Sequence, residues 1–121
     1  MQLVPIPAFT DNYIWLLHDG ARALVVDPGE ARGVLAWLAE HRLALDTILI
    51  THHHADHTGG VAELREATGA RVIGPTHEPM PEPLQRVGQG EVVEVLGLRF
   101  EVIDVPGHTS GHIAYHHPDV D

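Results

Sequence analysis

The chain contains no cysteine and no lysine, and none of its apolar runs approaches the ~20 residues of a membrane-spanning helix. The first absence excludes disulfides and thiolate metal sites and suits a reducing compartment. The N-terminus, Met1-Gln2-Leu3-Val4-Pro5, has no basic region ahead of an apolar segment, so no secretory signal is read there. The expected location is cytoplasmic, with no membrane partner. Positive charge is also scarce: seven arginines face seventeen acidic residues, for a formal net charge of -10. Neutralising phosphates needs a basic surface, which argues against nucleic acid as a partner. An anionic substrate would need cationic groups from elsewhere, whereas two bound dications would offset part of the excess. A hydrophobic content of 44% over 121 residues excludes a disordered chain. It predicts a single domain, 1–121, that buries roughly two-thirds of its unfolded surface.

What the chain has in excess is histidine, eleven residues, in clusters unlike a terminal purification tag. They are set among strands interleaved with two predicted helices. Residues 2–8, with Pro5 and Pro7, suit an edge strand. Tyr13-Ile14-Trp15-Leu16-Leu17 and Ala23-Leu24-Val25-Val26 read as a hairpin about Asp19-Gly20, and Tyr13 and Trp15 are expected in the core. A helix over about 30–42 puts Val34, Leu35 and Leu38 on one face. Thr47-Ile48-Leu49-Ile50 is a buried strand, and a second helix over about 59–68 is capped by Thr58 and closed by Gly69. Residues 71–74 form a short strand, and 75–83, with four prolines, an irregular loop. A hairpin of 92–95 and 98–103 turns at Gly97, and 113–116 is the last strand.

Between the strand 47–50 and the second helix lies Thr51-His52-His53-His54-Ala55-Asp56-His57-Thr58-Gly59-Gly60. In an extended segment alternate side chains share a side, so His52, His54 and Asp56 can face together while His53 points away. His57 sits where the chain turns into the helix and can be re-aimed beside Asp56. Imidazoles and a carboxylate at this density suit Zn²⁺, Fe²⁺ or Mn²⁺, with zinc the first choice. His108, in the turn Pro106-Gly107-His108-Thr109, is the distant ligand that a strand end can bring to the cluster. His112 is expected to brace that loop from behind the ligands. Asp27 ends a strand before Pro28-Gly29 and suits either of two roles, holding a ligand imidazole or capping the next turn or helix. His18, His41, His77, His116 and His117 lack convergent partners and are read as surface residues.

His52-His53-His54-Ala55-Asp56-His57 is similar to the HxHxDH signature of the metallo-β-lactamase superfamily. Phe9-Thr10-Asp11-Asn12-Tyr13, Val25-Val26-Asp27-Pro28-Gly29 and Pro106-Gly107-His108-Thr109-Ser110-Gly111-His112 narrow the resemblance to glyoxalase II, the hydroxyacylglutathione hydrolases. The likeness runs from about residue 2 to residue 117. It implies an α/β (α+β) fold, the αββα sandwich, of which this chain would supply about the first half as one mixed sheet with two helices. It also implies two metals per complete site. His52, His54 and His108 would bind the first, which is the more readily occupied here, and Asp56 and His57 the second. A metal-bound hydroxide, oriented by Asp56, would attack the thioester of S-lactoylglutathione and yield glutathione and D-lactate.

The family also uses a bridging aspartate, a further histidine and basic and tyrosine residues for glutathione, all in a later half that has no counterpart here. The chain is therefore expected to be the N-terminal part of a longer domain. Alone it would be weak or inactive, with an apolar sheet face that favours self-association or a missing partner layer. Two other readings are an iron-dependent enzyme resembling persulfide dioxygenase and a non-catalytic, truncated metal-binding fragment. Metal analysis with thioester-hydrolysis and oxygen-consumption assays separates the first from the leading reading. The coding sequence after Asp121 separates the second.

Overall fold

Alternating apolar side chains in the first third of the chain build one edge of a sheet. In the computed structural model, which describes residues 2–8, 12–51, 60–75, 84–104 and 113–117, β1 (Gln2–Ala8) pairs antiparallel with β2 (Asn12–His18). β2 in turn pairs antiparallel with β3 (Arg22–Val26). Pro5 and Pro7 cost no ladder bonds because β1 is the outer strand. From β3 the connections become crossovers. Helix α1 (Arg32–His41) leads to β4 (Ala44–Leu49), and helix α2 (Val61–Thr68) leads to β5 (Arg71–Pro75). Both strands join in parallel, as helical crossovers require, and β6 (Gln85–Val87) adds a last parallel strand. The order in space follows the order in sequence, β1 to β6.

The expected mixed sheet and two helices are therefore present, and a second sheet is added to them. β7 (Val92–Val95), β8 (Leu98–Asp104) and β9 (Ile113–His116) form a separate antiparallel sheet. The six-stranded sheet has a core on each face. On one face Ile14, Leu16, Val25 and Ile48 meet Val34 and Leu38 of α1 and Val61 and Leu64 of α2. On the other, Leu24, Leu49 and Ile73 meet Val93, Phe100 and Val102 of the small sheet. Each fully buried leucine or isoleucine in these layers contributes about 1.5–3 kcal/mol. Helices, large sheet and small sheet thus form three successive layers.

Four local expectations change. Strand β6 was not expected; it follows the expected loop 75–83, of which residues 76–83 lie outside the described residues. Trp15 is 45% exposed rather than in the core, because the core under the small sheet takes in Leu17 of β2 but does not extend to Trp15. Thr58 lies outside the described residues, and the cap position of α2 belongs to Gly60, which makes no side-chain cap bond. His18 and His117 are half-buried, His18 against Trp37 and His117 against Phe100. His41 and His116 are exposed as expected, although the ring of His41 stacks on Trp37 at 3.5 Å.

Candidate metal centre

The candidate ligands His52, His54, Asp56, His57 and His108, the bracing residue His112, and His53 and His77 all lie outside the described residues. Among the described residues no three metal-ligating side chains come together. What the structure does define is the frame next to the two segments that carry the candidate ligands.

That frame begins at the C-terminal ends of β3, β4 and β5, where parallel sheets direct their loops to one edge. Thr51 is the residue ahead of His52. Its N–H donates to Asp27 Oδ1 at 2.7 Å and its hydroxyl to Asp27 Oδ2 at 2.5 Å. Bonds to a carboxylate are short and roughly twice as strong as neutral ones. Asp27 aims its carboxylate from a left-handed backbone (φ 51), a conformation that aspartate tolerates better than most residues, and its own N–H donates to Leu49 O at 2.9 Å. The carboxylate therefore secures the residue in front of the histidines, an arrangement that the sequence reading did not weigh.

The far end of the same segment is held by the next residues of the same turn. Gly60 N–H donates to Pro28 O at 2.8 Å, and a Cβ at Gly60 would stand 2.4 Å from the carbonyl carbon of Glu30. Asp27 to Glu30 thus grips both ends of the His-rich segment. Glycine at position 60 is required by this close approach of two backbones, not by its φ of -94°.

The second candidate segment, which carries His108 and His112, runs up to Ile113. Ile113 N–H donates to Thr51 O at 2.9 Å, so the end of one segment is tied to the start of the other. Tyr115, two residues on, reaches across the sheets and donates its hydroxyl to Ile50 O at 2.7 Å, with Ile73 O a secondary acceptor at 3.3 Å. Burial pushes this phenol far above its ordinary range, and the nearby Asp27 charge raises it further, so Tyr115 stays a neutral donor. Tyr115 and Thr51 were not singled out from sequence, whereas the Gly59-Gly60 pair allows either a close backbone approach or simple helix entry. A signal for the tyrosine was present, since an inward-facing Tyr on a strand needs a partner for its hydroxyl.

Beside this frame an open cavity of about 290 Å³ lies between the sheets, lined by Leu3, Trp15, Leu49, Phe100 and Tyr115 and reaching Thr51. Its walls are largely apolar, and Leu3 and Trp15 at its rim are nearly half exposed. The sheet face expected to lack its covering layer is in fact packed on by β7–β9, with these two rim residues left beside the cavity. The donor chemistry also fits: imidazoles and a carboxylate, free of competing thiolates, are what a borderline divalent metal takes. The chain ties the segments that carry them at adjacent backbone positions.

Comparison with known proteins agrees. The sequence model of the metallo-beta-lactamase superfamily matches residues 8–121. The hydroxyacylglutathione hydrolase of Albidiferax ferrireducens is 64% identical over 121 residues, covering 100% of this chain and 48% of that protein. The Pseudomonas aeruginosa hydroxyacylglutathione hydrolase is 59% identical, over 98% of this chain and 47% of its own. The chain therefore spans about half the length of these curated relatives. Among solved structures, ETHE1 from Myxococcus xanthus is similar at a TM-score of 0.81 and 34% identity, over 96% of this chain and 53% of its own. The BLEG-1 B3 metallo-beta-lactamase has a TM-score of 0.85 at 23% identity, over 98% of this chain and 68% of its own, a likeness of fold. With the superfamily match extending from β1 to the last residue, and with divalent metal binding implied by it, the chain belongs to the metallo-beta-lactamase superfamily.

Proposed function

We propose that residues 1–121 are the N-terminal part of a metallo-β-lactamase-fold domain that hydrolyses S-(2-hydroxyacyl)glutathione thioesters. S-lactoylglutathione is the substrate of choice, giving glutathione and D-lactate in cytoplasmic methylglyoxal detoxification. The observation that carries the site is the Ile113–Thr51 hydrogen bond, which joins the segment ending after His108 to the segment beginning at His52. The relatives' name, hydroxyacylglutathione hydrolase, selects thioester hydrolysis as the chemistry and disfavours the oxygen-dependent alternative.

In this reading His52, His54 and His108 hold one divalent metal and Asp56 and His57 contribute to a second, zinc in preference to iron or manganese. A metal held there would lower the pKa of a water to about 7 and polarise the substrate carbonyl. The Asp56 carboxylate accepts a hydrogen bond from the attacking water and orients it. Asp27 keeps Thr51, and hence the departure point of the His-rich segment, in place. The leaving thiol, with an intrinsic pKa of about 8.5, departs as thiolate with little acid assistance. The groups that bind glutathione are assigned to the part of the relatives' length that this chain does not span.

The test compares residues 1–121 alone with the same residues joined to the second half of the Albidiferax ferrireducens relative. The joined protein is expected to hydrolyse S-lactoylglutathione, to lose activity on chelation and to regain it with Zn²⁺, while the shorter chain is weak. A joined protein that binds metal and leaves the thioester intact would refute this reading.

A further inference from the structure

Among the described residues, the small sheet is joined to the residues just after β4 by two hydrogen bonds, not one. The first is the backbone bond from Ile113 to Thr51, and the second runs from the Tyr115 hydroxyl to Ile50 O. Ile113 and Tyr115 are two apart on β9, so both point to the same side of the strand. Their acceptors, Ile50 and Thr51, are consecutive residues. A single hydrogen bond leaves the two strands free to pivot about it; a second bond one residue away removes that freedom. Ile50 is itself pinned to the large sheet, where its N–H donates to Ile73 O at 2.8 Å, the same carbonyl that Tyr115 approaches. The phenol therefore refers the small sheet to β4 and β5 together.

We propose that Tyr115 is a positioning residue that fixes Ile113 against Thr51, the two backbone positions next to the segments that carry the candidate ligands His52–His57 and His108. This rests on the reading that both segments serve one metal site. Tyr115 touches neither metal nor substrate in this account; it acts through Ile50 and Thr51. Phenylalanine at this position keeps the ring in the apolar wall of the cavity and withdraws only the donor.

The test uses the 121-residue chain, Tyr115→Phe, and a control, Val93→Ala, which loosens the same sheet-on-sheet core without touching Ile50. Two readouts are taken. Co²⁺ affinity and its d–d absorption report on the ligand set, and amide exchange at Thr51 in the metal-free protein reports on the frame. Tyr115→Phe is expected to bind Co²⁺ about 10–100-fold more weakly, with a shifted visible band. Its Thr51 amide is expected to exchange roughly tenfold faster, with little change at Val25 and Ile48. Val93→Ala is expected to lower the melting temperature while leaving the Co²⁺ band and affinity within about twofold of wild type. Tyr115→Phe with wild-type Co²⁺ affinity, a control that matches it in both readouts, or a wild-type chain that binds no Co²⁺ would each overturn the inference. None of these measurements uses a thioester. A chain that binds Co²⁺ as expected but, joined to the relative's second half, leaves S-lactoylglutathione intact refutes the proposed function and leaves the role of Tyr115 standing.

Discussion

Replacing Gly60 by alanine tests whether the turn after β3 really grips the His-rich segment. The added Cβ would meet only backbone: the Glu30 carbonyl carbon at 2.4 Å, its oxygen at 2.7 Å and Ala31 N at 2.8 Å. No rotamer change relieves such contacts. To restore an ordinary 3.4 Å separation from the nearest atom, α2 or the turn must retreat by about 1 Å (3.4 less 2.4). Overpacking of this kind costs about 1–3 kcal/mol. The same retreat lengthens the Gly60 N–H bond to Pro28 O, a further loss of about 1 kcal/mol. The sum, about 2–4 kcal/mol, lowers the melting temperature of a domain this size by roughly 10 °C. Gly60 is the N-cap of α2, where glycine is itself preferred over alanine, so the cap preference adds to the cost. Thermal unfolding of the metal-free chain, followed by circular dichroism, reads that cost. A variant that melts within about 2 °C of wild type, or above it, would show that α2 is not held against Glu30.

Other outcomes follow from the same frame. Asp27→Ala removes the acceptor of both Thr51 bonds and should cost about 2–4 kcal/mol in urea unfolding. Asp27→Gly loses the same bonds but relieves the positive φ of 51°, so it should be about 1 kcal/mol less destabilised than Asp27→Ala. Arg42 closes α1 in the left-handed region (φ 56), and Arg42→Gly should raise stability by about 0.5–1 kcal/mol in the same assay. The phenol of Tyr115 has a folded-state pKa above its unfolded value of 10, so its contribution is complete below pH 10 and lost as pH rises beyond it. Wild type should therefore lose stability on moving from pH 9 to pH 11 more steeply than Tyr115→Phe, as measured by melting temperature against pH.

Most strands were legible because their information is local. Alternation in β2, β7 and β8 and the apolar run of β4 each lie within a few residues, and the bounding turns carry glycine or proline. Strand β6 was not, since three residues after a proline-rich stretch carry too little pattern. Trp15 shows a second kind of loss. Alternation says that it shares a face with Leu3 and Leu17, but not whether another layer covers that face. Gly60 shows a third: a glycine at a helix start has an ordinary local explanation, and its contact with Glu30 joins residues thirty apart.

By itself the sequence determined the candidate chemistry, because His52, His54, Asp56 and His57 are packed into six residues and the ligand types name the metal class without any coordinates. It also determined the alternation of strands and helices, which local periodicity encodes. Only the tertiary structure decided that β7–β9 form their own sheet, that the turn 27–30 holds both ends of the His-rich segment, and that Ile113 and Tyr115 meet Thr51 and Ile50. Those contacts join positions distant in the chain. They are chosen by which faces can be buried together and which buried polar groups can be paired, and neither choice is written in any single stretch of residues.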